Sequence, residues 1–141
     1  MTFSFGQSEY ERLEIDVVSY ERSPVGEYYD DNWLKIMVRI SAGGFRGEGE
    51  GAFLTGEIDD FLRQLRALYD SLSGTAEFNT LERQLSLKAS GDGKGHVELV
   101  GELVDDWGSH NRLNFTLKFD QSQLAASIRE METVMEAFPV R

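Results

Sequence analysis

Apolar residues recur at every second position through most of this chain, the period of an extended strand with one buried face. Leu13, Ile15 and Val17 share a parity against Glu14 and Asp16. Leu34, Ile36, Val38 and Ile40 face away from Lys35, Met37 and Arg39. Leu85, Leu87 and Ala89 alternate with Gln84, Ser86 and Lys88, and Leu113, Phe115, Leu117 and Phe119 with Asn114, Thr116 and Lys118. One wet and one dry face is the habit of antiparallel sheets. The pattern predicts strands near 11–21, 33–41, 44–54, 76–90, 95–104 and 110–119, with Gly91-Asp92-Gly93-Lys94-Gly95 as a turn.

Two stretches switch to the helical period. Ile58, Phe61, Leu62, Leu65, Leu68, Tyr69 and Leu72 form one stripe, and Leu124, Ile128, Met131, Met135 and Phe138 a second. Thr55 is the expected N-cap of the first helix, 56–72, with Glu57, Asp59 and Asp60 in the first turn and Gly74 as its stop. Asp120 and Gln123 form a capping box for the second, 121–137, and Pro139 ends it. Strand, strand and capped helix thus occur twice, over 33–72 and 95–137. The expected fold is α+β in a single domain, 1–141: an antiparallel sheet of about six to eight strands with two amphipathic helices packed on one face.

The length of 141 residues and the 40% hydrophobic content support one core. Acidic residues number 25 against 14 basic, for a net charge of -11. Charge of that size acts through solubility, encounter and choice of partner. It argues against nucleic acid or an anionic membrane as a direct partner, because both call for clustered Lys and Arg. It favours a basic protein. Cysteine is absent, so there is no disulfide scaffold and no thiolate metal site. Met1–Gly6 has neither a basic start nor an apolar run, and no stretch approaches about 18 apolar residues. A soluble cytoplasmic protein without a cofactor is expected.

Candidate chemistry is sparse. Phe45-Arg46-Gly47-Glu48-Gly49-Glu50-Gly51 has glycines spaced like a phosphate loop, but its carboxylates repel phosphate and no Lys-Ser/Thr follows. Its parity instead predicts a strand whose glycine face lets a helix or a large side chain approach closely. Glu48 and Glu50 share the opposite face, as a carboxylate pair or as an ordinary solvated strand. His110 stands near Asp105 and Asp106, which fits acid–base work or a metal as an alternative function, but neither a third orienting group nor a nucleophile accompanies them. His96 has less claim. In Tyr28-Tyr29-Asp30-Asp31-Asn32-Trp33, and again in Asp105-Asp106-Trp107, aromatics sit among acids. Aromatics carry binding energy at interfaces, and carboxylates steer a cationic partner. The same residues also fit polar loops, with Trp33 in the core. Tyr28, Tyr29, Asp30, Asp31, Asp105, Asp106, Trp107, Glu48 and Glu50 are the candidate contact residues.

Three blocks add a resemblance. They are Asp31-Asn32-Trp33-Leu34 with Gly44-Phe45-Arg46-Gly47; Leu54-Thr55 with Phe61-Leu62-Arg63-Gln64-Leu65 and Leu72-Ser73-Gly74-Thr75-Ala76; and Gly95-His96-Val97 to Gly101, then Leu113-Asn114-Phe115-Thr116-Leu117 and Asp120-Gln121-Ser122-Gln123-Leu124. From about residue 30 onward the chain resembles the WapI-type immunity proteins of bacterial contact-delivered toxin systems. The resemblance implies a small cytoplasmic, non-catalytic protein that binds and blocks the toxic C-terminal domain of a secreted effector, for the founding type an RNA-cleaving nuclease. It carries over no contact residue, so the candidates above rest on surface chemistry.

Overall fold

A computed structural model describes residues 1–105 and 111–141. Eight strands and three helices follow in the order β1 (Thr2–Ser8), β2 (Glu11–Tyr20), α1 (Tyr28–Asn32), β3 (Trp33–Ala42), β4 (Phe45–Leu54), α2 (Thr55–Ser71), β5 (Ser73–Asn79), β6 (Leu85–Asp92), β7 (His96–Val104), β8 (Arg112–Asp120) and α3 (Gln121–Ala137). The α+β expectation holds and every strand pairing is antiparallel. The strands divide into two sheets of four: sheet A in the order β1-β2-β3-β4 and sheet B in the order β5-β6-β7-β8. Each sheet is a meander closed by a long helix, so the repeated unit is larger than the hairpin and helix read from the sequence. The expected strand over 76–90 is two, β5 and β6, broken by the loop Thr80–Gln84, in which Arg83 takes a φ of 58°.

The parity of the sequence sets which face is dry. Leu13, Ile15 and Val17 on β2 and Leu34, Ile36, Val38 and Ile40 on β3 are buried, as are Leu85, Leu87 and Ala89 on β6 and Phe115, Leu117 and Phe119 on β8. The inner faces of both sheets and the apolar stripes of α2 and α3 enclose one core. Phe61 on α2 bridges the sheets, its ring centroid 6.1 Å from Phe5 on β1 and 5.2 Å from Phe78 on β5. Burying a side chain of this size is worth roughly 1.5–3 kcal/mol, far more than any surface ion pair here.

The helices pack against each other, with Arg66 and Glu132 3.5 Å apart across the contact. Each also lies along the first strand of the opposite unit. Gln64 on α2 donates to the Glu77 carbonyl of β5 and accepts its N–H. Glu130 on α3 accepts the N–H of Ser4 on β1, and Ser127 donates to its carbonyl. A bare edge strand invites unwanted pairing; here helix side chains take the place of a neighbouring strand.

Cap positions follow chemistry with small offsets. Asp120 caps α3 as expected, accepting from Ser122 and Gln123 while Gln123 accepts the Asp120 N–H. Thr55 is the first helical residue of α2 and the cap position falls to Leu54, whose N–H is met by Glu57 at 2.7 Å. The Thr55 hydroxyl is taken up elsewhere, by Asn32. The helix stops one residue earlier than expected, because Leu72 itself adopts the left-handed conformation at φ 61°.

Close approach explains the glycines of β4. A Cβ on Gly47 would lie 3.0 Å from Leu113, one on Gly49 3.4 Å from the Val104 carbonyl, and one on Gly51 3.1 Å from Gln84. The neighbours are side chains of sheet B and of the loop before β6, Leu113, Leu103 and Gln84, the close approach of large side chains that the parity predicts, together with the Val104 carbonyl. Gly101 on β7 is tighter: an added Cβ would stand 2.3 Å from the Phe115 ring, which lies across it from β8.

Candidate partner-binding surface

Two buried polar side chains set the shape of the aromatic segment. Asp31 is only 7% exposed; its carboxylate accepts the N–H groups of Val25 at 2.7 Å and Gly26 at 2.9 Å. That closes the loop before α1. Asn32 is fully buried, and its amide is saturated. Its Nδ2 donates to the carbonyls of Tyr28 at 2.7 Å and Arg141 at 3.1 Å; its Oδ1 accepts from Thr55 at 2.6 Å and the Arg141 N–H at 2.8 Å. A buried amide with every valence used is rigid, because each lost partner would leave an unsatisfied group. Arg141 also stacks on Tyr20, 3.5 Å from the ring centroid.

On this base stand Tyr28 and Tyr29, 47% and 55% exposed, edge to face at 5.3 Å. The Tyr28 hydroxyl rests over Gly56 at the start of α2, where a Cβ would meet it at 2.7 Å. Asp30 is near the surface and 3.5 Å from Arg22. Tyr28, Tyr29 and Asp30 therefore present a surface, whereas Asp31 points inward and is spent on holding the loop. Trp33 is half-buried at the start of β3, nearer the expected core position than a free one.

Glu48 and Glu50 lie on the solvent face of β4, both exposed. Glu48 sits 3.7 Å from Arg39 on β3 and directly opposite it in the ladder; Glu50 is opposite Met37. Asp105 is exposed at the end of β7, where its N–H reaches the Asn111 carbonyl, and its Cα is 3.6 Å from the Cβ position of Gly49. Asp106, Trp107 and His110 lie outside the described residues, and with them the His110–Asp105/Asp106 constellation. Among the described residues no three His, Asp or Glu side chains are grouped to hold a metal. Asp105 adjoins Gly49, while α1 leads into Trp33, which pairs with Leu54. The separation along β4 is five residues, about 17 Å at roughly 3.4 Å each. The described candidates thus lie at two places along β4: Tyr28, Tyr29 and Asp30 toward its end at Leu54, and Glu48 and Glu50 on its solvent face, with Asp105 beside the opposite, glycine face.

Among the described residues, Glu57 and Asp92 have displaced titrations. Burial pushes Glu57 above its ordinary value, against the pull of the N–H groups of Leu54 and Leu81, while Glu82 adds to the rise. Glu57 thereby ties the end of β4 to the loop before β6. The Lys94 N–H, and then the His96 ring, hold Asp92 down to about 2. Both partners of Asp92 belong to its own turn, and His96 is largely solvated, so the pair organises the β6–β7 turn. The amide oxygen of Gln84, buried on the glycine face of β4, has no donor among the described residues.

Tyr28 and Tyr29 thus stand exposed beside Asp30 on a saturated hydrogen-bonded base, and residues of these types carry energy and steering where they meet a protein partner. The chain belongs to the WapI-like immunity protein family, whose pattern it matches over residues 4–139. That span includes most of β1 and all of β2, which the sequence resemblance did not reach. No curated protein matches the chain in sequence. Among solved structures it is similar to the plant transcriptional regulator PBF-2, with a TM-score of 0.56 and 16% identity, covering 98% of this chain and 81% of that one. At such identity the likeness is one of fold alone.

Proposed function

We propose that this chain is a non-catalytic immunity protein that binds and neutralises the toxic domain of a cognate effector, a nuclease at the C-terminus of a secreted protein, inside the cytoplasm. Family membership over nearly the whole chain carries the reading. The net charge of -11 supports it. A nuclease that grips RNA phosphates presents a cationic cleft, and an acidic inhibitor is steered to such a cleft and fills it. Tyr28, Tyr29 and Asp30 around α1, and Glu48, Glu50 and Asp105 along β4, are the contacts, together with Asp106 and Trp107. Asp31 serves as their support.

The test is co-expression with a cognate toxin domain, sought first in the sequence encoded beside this chain. Protection of growth and a stable complex are expected. The protection weakens with Tyr29→Ala, and association slows as salt rises. Growth arrest despite abundant folded protein would refute the reading.

A further inference from the structure

We propose that β4 is a docking edge, on which an extended basic segment of the partner adds to sheet A as a further strand. This deepens the immunity reading and rests on it for the partner's charge.

Each sheet has two edge strands, four in all. Two are already closed from within. Gln64 on α2 takes both main-chain groups of Glu77 on β5, and Glu130 and Ser127 on α3 take those of Ser4 on β1. The other two, β4 and β8, differ. Among the described residues, the main chain of 46–53 and of 113–119 bonds only to the neighbouring strand of its own sheet. A row of free N–H and C=O groups is a template for a strand from another chain.

Charge separates the two edges. The solvent face of β8 carries Arg112, already held by Glu102 at 2.6 Å, and Lys118 against the single carboxylate Asp120, so that strand offers a basic segment no net acidic charge. The solvent face of β4 carries Glu48, 3.7 Å from Arg39 on β3, and Glu50, opposite Met37, while its Arg46 is turned onto Ser41 at 3.0 Å. Glu48 and Glu50 are two residues apart and share a face, so a strand laid beside β4 meets them with every second side chain. Lys or Arg at those alternate positions is the complement. The intervening side chains point to the glycine face, where Val104 and Asp105 approach from sheet B. A second copy of this chain is the poorer occupant, because each copy brings a net charge of -11.

The probe is a synthetic peptide of alternating lysine and valine, about as long as the ten residues of β4, added to the intact protein at low salt. Amide hydrogen exchange followed by NMR gives the site. The expected result is slowed exchange at alternate amides between Arg46 and Phe53. Binding should fall by about tenfold or more in Glu48→Lys/Glu50→Lys. It should also be lost when alternate peptide amides are N-methylated, which removes the ladder and keeps the charge. Equal binding of the N-methylated peptide, protection confined to another surface, no binding up to about millimolar peptide, or pairing of β4 with a second copy would each overturn the proposal. Unchanged thermal melting of the double variant verifies that it folds. The immunity reading fails separately: if cells stay unprotected from the toxin while the peptide still docks on β4, that reading falls and the edge stands. Protection of cells without docking on β4 sinks the edge alone.

Discussion

Gln64 on α2 holds both main-chain groups of Glu77 on β5: its Nε2 donates to the carbonyl at 3.2 Å, and its Oε1 accepts the N–H at 2.9 Å. Replacing it with leucine keeps the bulk and removes both bonds. The edge is solvent-exposed, so water takes up the freed groups and the loss is about 1 kcal/mol. Amide exchange at Glu77 should quicken. An unchanged rate would mean that the side chain is not the cover of that edge.

Gly101→Ala is predicted to cost more than a typical single surface change. The new methyl would enter the Phe115 ring, and overpacking of this kind costs about 1–3 kcal/mol. Phe115→Leu loosens the same place and should recover part of the loss. A double-mutant cycle by denaturant unfolding measures the coupling, and strict additivity would disprove the contact.

Neighbouring aspartates do different work. Asp30→Ala removes an exposed carboxylate whose ion pair with Arg22 is worth at most about 1 kcal/mol, so stability should hardly move while association with a basic partner slows. Asp31→Ala strips two N–H groups of a charged acceptor and should cost about 1.5–3 kcal/mol per bond at most. Thermal melts of the two variants side by side decide it; equal effects would contradict the assignment.

Glu57 predicts a slope with pH. Its folded value lies above the ordinary 4.5, so the folded state binds the proton more tightly than the unfolded chain does. The favourable contribution is complete below about 4.5 and is lost as pH rises through the folded value. Relative to Glu57→Gln, the wild type should therefore lose melting temperature as pH is raised from 4 toward neutrality, then level off. A difference that grows with pH would mean that the two N–H bonds outweigh burial.

Much of the fold was legible because period and parity depend on single residues. Leu34 to Ile40 alternate cleanly, and that alone sets the dry face of β3. What parity cannot show is pairing partners, so the division into two sheets was hidden. The strand β1 offers only Phe3 and Phe5 before Gly6, too short a pattern to stand out. The five residues of α1 are little more than one turn, without room for a helical stripe. Gln64, Glu130 and Ser127 look like ordinary exposed helix residues until the strand beside them is seen. Of the site, Tyr28 and Tyr29 are exposed. Asp31 could not be told from Asp30, because inward and outward orientation within one turn leaves no mark in composition.

The exchange of helices between the two units bears on synthesis. Ser4 on β1 waits for Ser127 and Glu130, more than a hundred residues later in the chain. At the ribosome, α3 emerges after all eight strands. The first sheet therefore spends nearly the whole of translation with one flank unguarded, and contacts of such long sequence separation slow folding. Nascent and truncated chains should accordingly be the species that chaperones retain, and the complete fold exists only once α3 has docked.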